Sequence, residues 1–352
     1  METVGIDPRS YKHIYVYGTP RGATNLFCAL LHNHTNIVAI NHRSTRKYLN
    51  HLIETKRSAE RSHWLFNIKD LIYEKGGPAK DFTCISYILF DKVHWASDRA
   101  FQHVELTLSR VRSGLADGIV LIRHPLQVLK SMDNFHRRYG RPRWALTRFN
   151  VLRYLVQYFL PQLWLLKIKG IYGIVVEAFV KNLPYSYRDL CEKLGIPFEL
   201  RFADFRLTFE DALTWTGGKF VIRKSEVVGG GSFLTSKSIK APAQDVYFDP
   251  ISGEPTWGYG QFNPALPLNP ERLMRSNENF DLPTSSLIRE VFCKGISKKD
   301  VDYLFETRLL DVERLREFDM KGIGNIMFHL LNRFPPPKWL QWSWKYLRSR
   351  PY

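Results

Sequence analysis

The apolar positions of this chain fall in short dense runs separated by glycine, proline and polar clusters. His13-Ile-Tyr-Val-Tyr17, aromatic and β-branched, reads as a strand halted at Gly18. The turn Gly18-Thr-Pro-Arg-Gly-Ala-Thr24 follows, and Asn25-Leu-Phe-Cys-Ala-Leu-Leu-His32 has the apolar density of a packed helix. Thr83–Phe90 reads as a second strand, ending at Asp91-Lys92. Gly118–Ile122 is a third, ending at Arg123-His-Pro125, with a helix predicted from there through Phe135. Gly173–Val176 is a fourth, followed by a helix over Tyr187–Leu194 that stops at Gly195. A strand, a Gly/Pro turn and a helix in succession open a parallel α/β fold. The expected architecture is therefore a central parallel sheet flanked by helices, in one domain spanning residues 1–352 with helical and loop insertions. Functional groups are expected at the carboxyl ends of the strands, where open α/β sheets bind ligands.

The most apolar stretch, Tyr154–Leu166, holds 13 uncharged residues and includes Pro161. A spanning helix needs about 20 residues, so this stretch is expected to be a core or interfacial helical region. Residues 220–270 are rich in Gly, Pro and Ser and read as loops. A last helical region is predicted over Lys298–Phe318, with Ser297 as its N-cap. The segment 320–352 forms a basic, Trp-rich tail containing Pro335-Pro-Pro337, Trp339, Trp342 and Trp344.

Composition narrows the function classes. With 44% hydrophobic and 24% charged residues, the 352-residue chain is neither disordered nor collagen-like. Its four cysteines, Cys28, Cys84, Cys191 and Cys293, include no C-x-x-C pair. That argues against a zinc ribbon or disulfide framework and for a reducing, cytoplasmic setting. No apolar run at the amino terminus suggests a signal peptide. Fifty-one Lys and Arg against 34 Asp and Glu give a net charge of +17, which implies an anionic partner. No zinc-finger spacing or RNP-like motif accompanies the charge, which disfavours nucleic acid.

Two segments carry chemistry. In Gly18-Thr-Pro-Arg-Gly-Ala-Thr-Asn25, backbone N–H groups at a helix start can hold an anion. Arg21 adds a forked cation, and Thr24 and Asn25 add short polar side chains. No Gly-Lys-Ser or Gly-Lys-Thr closes the loop, so it is not a Walker A sequence. In the second segment Arg123 leaves a strand, and Ser131 lies about two turns into the following helix.

These segments resemble the sulfotransferases that use 3′-phosphoadenosine 5′-phosphosulfate (PAPS). Tyr15–Leu30 is similar to that family's 5′-phosphosulfate loop, and Arg123 with Ser131, around Pro125, to its 3′-phosphate signature. Val176-Glu-Ala-Phe-Val-Lys-Asn-Leu-Pro184 and Leu190-Cys-Glu-Lys-Leu-Gly-Ile-Pro-Phe198 resemble its later strand–Glu–helix and LG-hydrophobic-P segments. Arg21 stands where many members carry lysine, so its role would be electrostatic rather than proton transfer; Gly22 and Ala23 also replace commoner residues, which leaves backbone contacts as the chemistry the resemblance implies there. Arg223-Lys224, before Gly229-Gly-Gly231, resemble the late basic loop over the adenosine 3′-phosphate. Glu177 matches a common acidic position and is expected to order nearby loops.

The resemblance implies sulfuryl transfer from PAPS to a hydroxyl or amine, with release of adenosine 3′,5′-bisphosphate (PAP) and no metal. Asp91-Lys92-Val-His94 resembles the family's strand-end site. Asp91 is the preferred base and His94 the alternative, while Lys92 would neutralise the sulfuryl or bridging oxygen. His32, His34, His42 and His63 read as surface or helix-end residues, and His124 as a packing ring. Segments 36–80, 135–170 and 232–270 are left for the pocket of a small-molecule, carbohydrate or lipid acceptor. The competing readings are a small-molecule kinase and a basic membrane- or polyanion-binding protein. The tail either packs on the domain or makes peripheral contact with anionic membrane.

Overall fold

A computed structural model of the chain describes residues 5–32, 34–55, 64–67, 71, 82–93, 100–140, 142–181, 183–199 and 280–320, with short strands at 214–216, 219–221, 247–248 and 255–256. The first strand, β1 (Lys12–Gly18), runs through a loop into helix α1 (Thr24–His32). Then come β2 (Ile37–Ile40), α2 (His42–Glu54), β3 (Tyr87–Val93) and α3 (Ala100–Arg112). Next are β4 (Ala116–Ile122), α4 (Pro125–Tyr139) and α5 (Arg148–Tyr154). A π-helical turn at Leu155–Phe159 joins α5 to α6 (Leu160–Leu166). Strand β5 (Ile171–Val175) leads into α7 (Val176–Lys181) and α8 (Leu183–Leu194). Near the end of the described chain lie α9 (Leu282–Phe292), α10 (Lys298–Glu306) and α11 (Val312–Arg316).

The five strands form one parallel sheet in the order β2-β3-β1-β4-β5. The β1-to-β2 and β3-to-β4 connections run in opposite directions along it, so right-handed crossovers put their helices on opposite faces. Helix α1 packs on β2 and β3, whereas α2 and α3 touch each other and α6 packs on β4 and β5. Ile14, Tyr15, Val16 and Tyr17 are all fully buried, as expected of a strand covered on both faces. Because every strand points the same way, the exits of β1, β3, β4 and β5 share one edge, with β1 as the central strand.

Three expectations need correction. The strand predicted to end at Phe90 continues to Val93, and its first residues form a tight turn at Phe82–Cys84 instead. Helix 298–318 is broken: Thr307 is extended, and Asp311 caps a separate α11 by accepting from the Arg314 N–H at 2.8 Å. Asp300 turns that short helix back by binding Arg314 (2.6 Å) and the Asp319 N–H (2.9 Å). Finally, much of the 135–170 segment assigned to the pocket is core, since every residue from Tyr154 to Leu166 except Pro161 is buried. Among the described residues no helix is long and apolar enough to cross a membrane.

Candidate functional site

The loop after β1 is wound tightly. The Gly22 N–H donates to the Thr19 carbonyl at 3.0 Å, and Arg21 and Ala23 on either side adopt left-handed φ angles of 65° and 61°. Such conformations cost of order 1–3 kcal/mol each for a residue with a side chain and persist only where the surroundings enforce them. A methyl on Gly22 would lie 2.7 Å from Thr19 Oγ1 and 2.9 Å from Thr19 O. The Thr19 hydroxyl is buried with no hydrogen-bond partner among the described residues, and Thr24, also buried, opens α1. Asn25 is the second residue of that helix. The result is a compact backbone cradle at a helix start, with one orphaned hydroxyl inside it.

Arg21 and Arg123 join this cradle to the β4 exit. The Arg21 Nε–H donates to Ser131 Oγ at 3.0 Å, and its guanidinium lies 5.2 Å over the Phe135 ring. One Arg123 Nη–H donates to the Arg21 carbonyl at 3.0 Å. Residues 102 and 110 positions apart in sequence are thereby held in one cluster. Glu177, in the first turn of α7, is buried and accepts from the His124 N–H at 3.0 Å, with Arg123 Nε at 3.9 Å. Burial pushes its carboxyl up, while Arg123 and the backbone N–H groups pull it down. The His124 ring packs against α10: its Nε2–H reaches the Thr307 carbonyl at 3.1 Å, and burial lowers its pKa to about 4.

The β3 exit is built differently. Tyr15 pairs with Phe90 but Tyr17 pairs with Val93, so β3 carries an extra residue and bulges at Asp91-Lys92. Lys92 takes the left-handed conformation, φ 52°, and is half-buried. Asp91 is only 1% exposed, with the Cys28 thiol of α1 donating to its carboxylate at 3.4 Å. Burial raises the Asp91 pKa, with Lys92 and Cys28 opposing. At the start of α2, His42 is pushed down to about 4 by burial and then by Lys92, Arg46 and Arg43.

Arg21, Arg123 and Ser131 are thus brought together beside Gly22, Ala23 and Thr24, and Asp91 and Lys92 lie on the adjacent strand. His94, Arg223, Lys224, His63 and the tail after Met320 lie outside the described residues. Of the histidines expected at the surface or at helix ends, His32 is the last residue of α1 and buried, and His34, beyond that helix, is buried as well. His32 accepts from the Ala39 N–H at 2.9 Å, and His34 bridges the Asn36 N–H (3.0 Å) to the Pro197 carbonyl (2.8 Å). Thr19, Cys28, Phe135 and Tyr154 were not singled out by sequence. Only Phe135, four residues after Ser131 on the same helix face, left a readable signal.

No protein-family model and no curated protein matches the chain. Among solved structures, it is similar to the sulfotransferase domain from the curacin biosynthetic pathway, at 15% identity and a TM-score of 0.31, over 55% of this chain and 76% of that one. It is also similar to the sulfotransferase domain of the Synechococcus PCC 7002 olefin synthase, at 13% identity and a TM-score of 0.31, over 55% and 77%. The α/β class itself rests on the parallel sheet described above.

Proposed function

We propose that this protein is a sulfotransferase that moves a sulfuryl group from PAPS to a hydroxyl or amine of a small-molecule, carbohydrate or lipid acceptor. The observation that carries the reading is the pair of contacts Arg21–Ser131 and Arg123–Arg21, both 3.0 Å. They link a backbone cradle after β1 to a second cationic station after β4. PAPS has matching chemistry, with a phosphosulfate and a phosphate on opposite sides of one ribose. The residues present fit it: among the described residues the Thr19 hydroxyl has no partner, and a side chain at position 22 would meet Thr19 Oγ1 at 2.7 Å.

In this reading the β1–α1 loop and Arg21 hold the phosphosulfate end, and Arg123 and Ser131 hold the 3′-phosphate. Bound PAPS supplies the activated sulfuryl group. The acceptor atom bonds to sulfur as the bridging S–O bond breaks, PAP leaves with that electron pair, and the acceptor proton passes to a base. Arg21 and Lys92 offset the charge that gathers on the bridging and sulfuryl oxygens. We assign the proton to His94 rather than to Asp91, because a base must reach its substrate and Asp91 lies buried against Cys28.

The test is ligand choice followed by transfer. Purified protein should be stabilised by PAP, by about 2.7 kcal/mol when the ligand is at 100 times its Kd, and should pass label from PAPS to an acceptor panel. Stabilisation by ATP with Mg²⁺ and none by PAP would replace this reading with a kinase. Binding of polyanions without any PAP affinity would replace it with a non-enzymatic basic module.

A further inference from the structure

Behind Arg123, where the β4 exit meets α5 and α7, buried polar atoms are left over. Arg123 Nε, Glu177 Oε2 and the Tyr154 hydroxyl all lack a hydrogen-bond partner among the described residues. Glu177 and Tyr154 are each 1% exposed, and the Arg123 side chain 10%. Folded interiors leave few such groups, and each one asks for an explanation. Burial holds the Tyr154 hydroxyl protonated, Glu177 acts in the same direction and Arg123 against it, so all three groups feel one another. No other carboxylate pairs with Arg123 among the described residues. On Glu177, Oε1 takes the His124 N–H at 3.0 Å while standing 3.9 Å from Arg123. One carboxylate therefore fixes both the backbone of the strand-exit turn and the cation that the turn presents.

We propose that Glu177 is a positioning residue of the anion site: it aims Arg123 across the cradle and holds its charge in place, and through Arg123 it sets preference for a ligand with a 3′-phosphate. This rests on the PAPS reading, which puts that phosphate on Arg123. The role differs from catalysis, since the groups Glu177 meets are the His124 N–H and the Arg123 guanidinium, and its effect reaches a ligand through Arg123. It also differs from simple packing, because its effect must travel through one named side chain.

The experiment is a double-mutant cycle on the full-length protein, with PAP and adenosine 5′-phosphate affinities measured by calorimetry and melting recorded in parallel. Wild type should prefer PAP. Arg123→Ala should weaken PAP roughly 10- to 150-fold and erase most of that preference. Glu177→Gln keeps an oxygen for the His124 N–H but loses the charge, and should weaken PAP roughly 5- to 30-fold while barely changing adenosine 5′-phosphate. In the Arg123→Ala background the same change should cause no further loss. It should also recover part of the melting temperature that Arg123→Ala removes, because the lone arginine deletion strands a buried carboxylate. If Glu177→Gln does not fold, Glu177→Asp substitutes: a shorter carboxylate cannot span both contacts, so the preference should fall between wild type and Arg123→Ala. Additive losses, equal losses for the two ligands, or a double variant that melts below Arg123→Ala would overturn the proposal. A wild-type protein indifferent to the 3′-phosphate would instead overturn the PAPS reading, and that result appears before any variant is made.

Discussion

Asp91→Asn separates the structural and chemical roles open at the β3 exit. Asp91 is buried, so its carboxyl holds its proton more tightly folded than unfolded. The sign follows from linkage. A carboxyl whose folded pKa is raised contributes its full stability below its ordinary range, near pH 4, and loses it as pH climbs through the folded value. At neutral pH, a carboxyl at position 91 therefore costs stability relative to a neutral group of the same shape. Each tenfold gain in proton affinity on folding is worth about 1.4 kcal/mol, and each kcal/mol shifts the melting temperature of a domain this large by roughly 2–4 °C. Asparagine has nearly the same shape, carries no charge, and keeps an oxygen for the Cys28 thiol. Asp91→Asn should raise the melting temperature at pH 7 and flatten its decline between pH 4 and pH 7.

The same variant reports on chemistry. With His94 as the base, Asp91→Asn should keep single-turnover sulfuryl transfer within about tenfold of wild type, whereas His94→Asn should lose about 10²- to 10⁴-fold. PAP affinity should be retained in both. A hundredfold loss in Asp91→Asn with PAP binding intact would make Asp91 the base after all. A lower melting temperature at pH 7 would refute the desolvation argument, because the charge at position 91 would then be stabilising.

Two more outcomes bear on the same edge of the sheet, and a third on the carboxyl-terminal tail. Gly22→Ala puts a methyl 2.7 Å from Thr19 Oγ1 and 2.9 Å from a backbone carbonyl that cannot move without opening the turn. Overpacking of this kind costs about 1–3 kcal/mol, so PAP affinity by calorimetry should fall roughly 5- to 150-fold; full affinity would refute the cradle. Arg21→Ala should weaken PAPS roughly 10- to 150-fold in competition binding, and Arg21→Lys should recover most of that loss while giving up the Ser131 and Phe135 contacts. A lysine variant as weak as alanine would show that the fork, not the charge, does the holding. Full-length protein should sediment with anionic vesicles at low salt, and removal of residues 334–352 should abolish it. That tail combines three tryptophans with four of the six basic residues found between 320 and 352, and no acid. Attraction to the vesicle should fade with added salt, as expected for a Debye length of about 8 Å at physiological ionic strength; indifference to vesicles would refute membrane contact.

The β1–loop–α1 unit was legible because all its signals are local: a β-branched and aromatic run, a Gly/Pro turn, and a dense apolar helix starting at Thr24. Arg123 and Ser131 were legible for the same reason, one at a strand exit and the other on the helix after it. Their arrangement was not. The bond from Arg21 to Ser131 spans 110 residues, and that from Glu177 to the His124 N–H spans 53. Each depends on which strands become neighbours, and β1 beside β4 is a product of the crossovers, with no local mark in the chain.

The β3 end shows why an exit drawn from hydropathy misplaces the end of a strand. The apolar run stops at Phe90, so Asp91 read as the first residue beyond the sheet, where a base would face solvent and substrate. Hydrogen bonding continues to Val93 because Lys92 takes a left-handed conformation and the strand bulges. An extra residue disturbs the side-to-side alternation of the strand, and Asp91 points into the space under α1, where a thiol meets it. His34 shows a similar limit. It read as a surface or helix-end residue, yet it lies beyond the end of α1 and is buried, its ring accepting the Asn36 N–H, whereas His32 is the helix-end residue expected and is buried there, accepting the Ala39 N–H. Side-chain polarity in a sequence says what a group can bond to; whether water or backbone supplies the bond is decided by neighbours brought in from elsewhere in the chain. Residues whose partners are backbone groups, such as His34, are therefore the ones whose burial a sequence reading most readily misses.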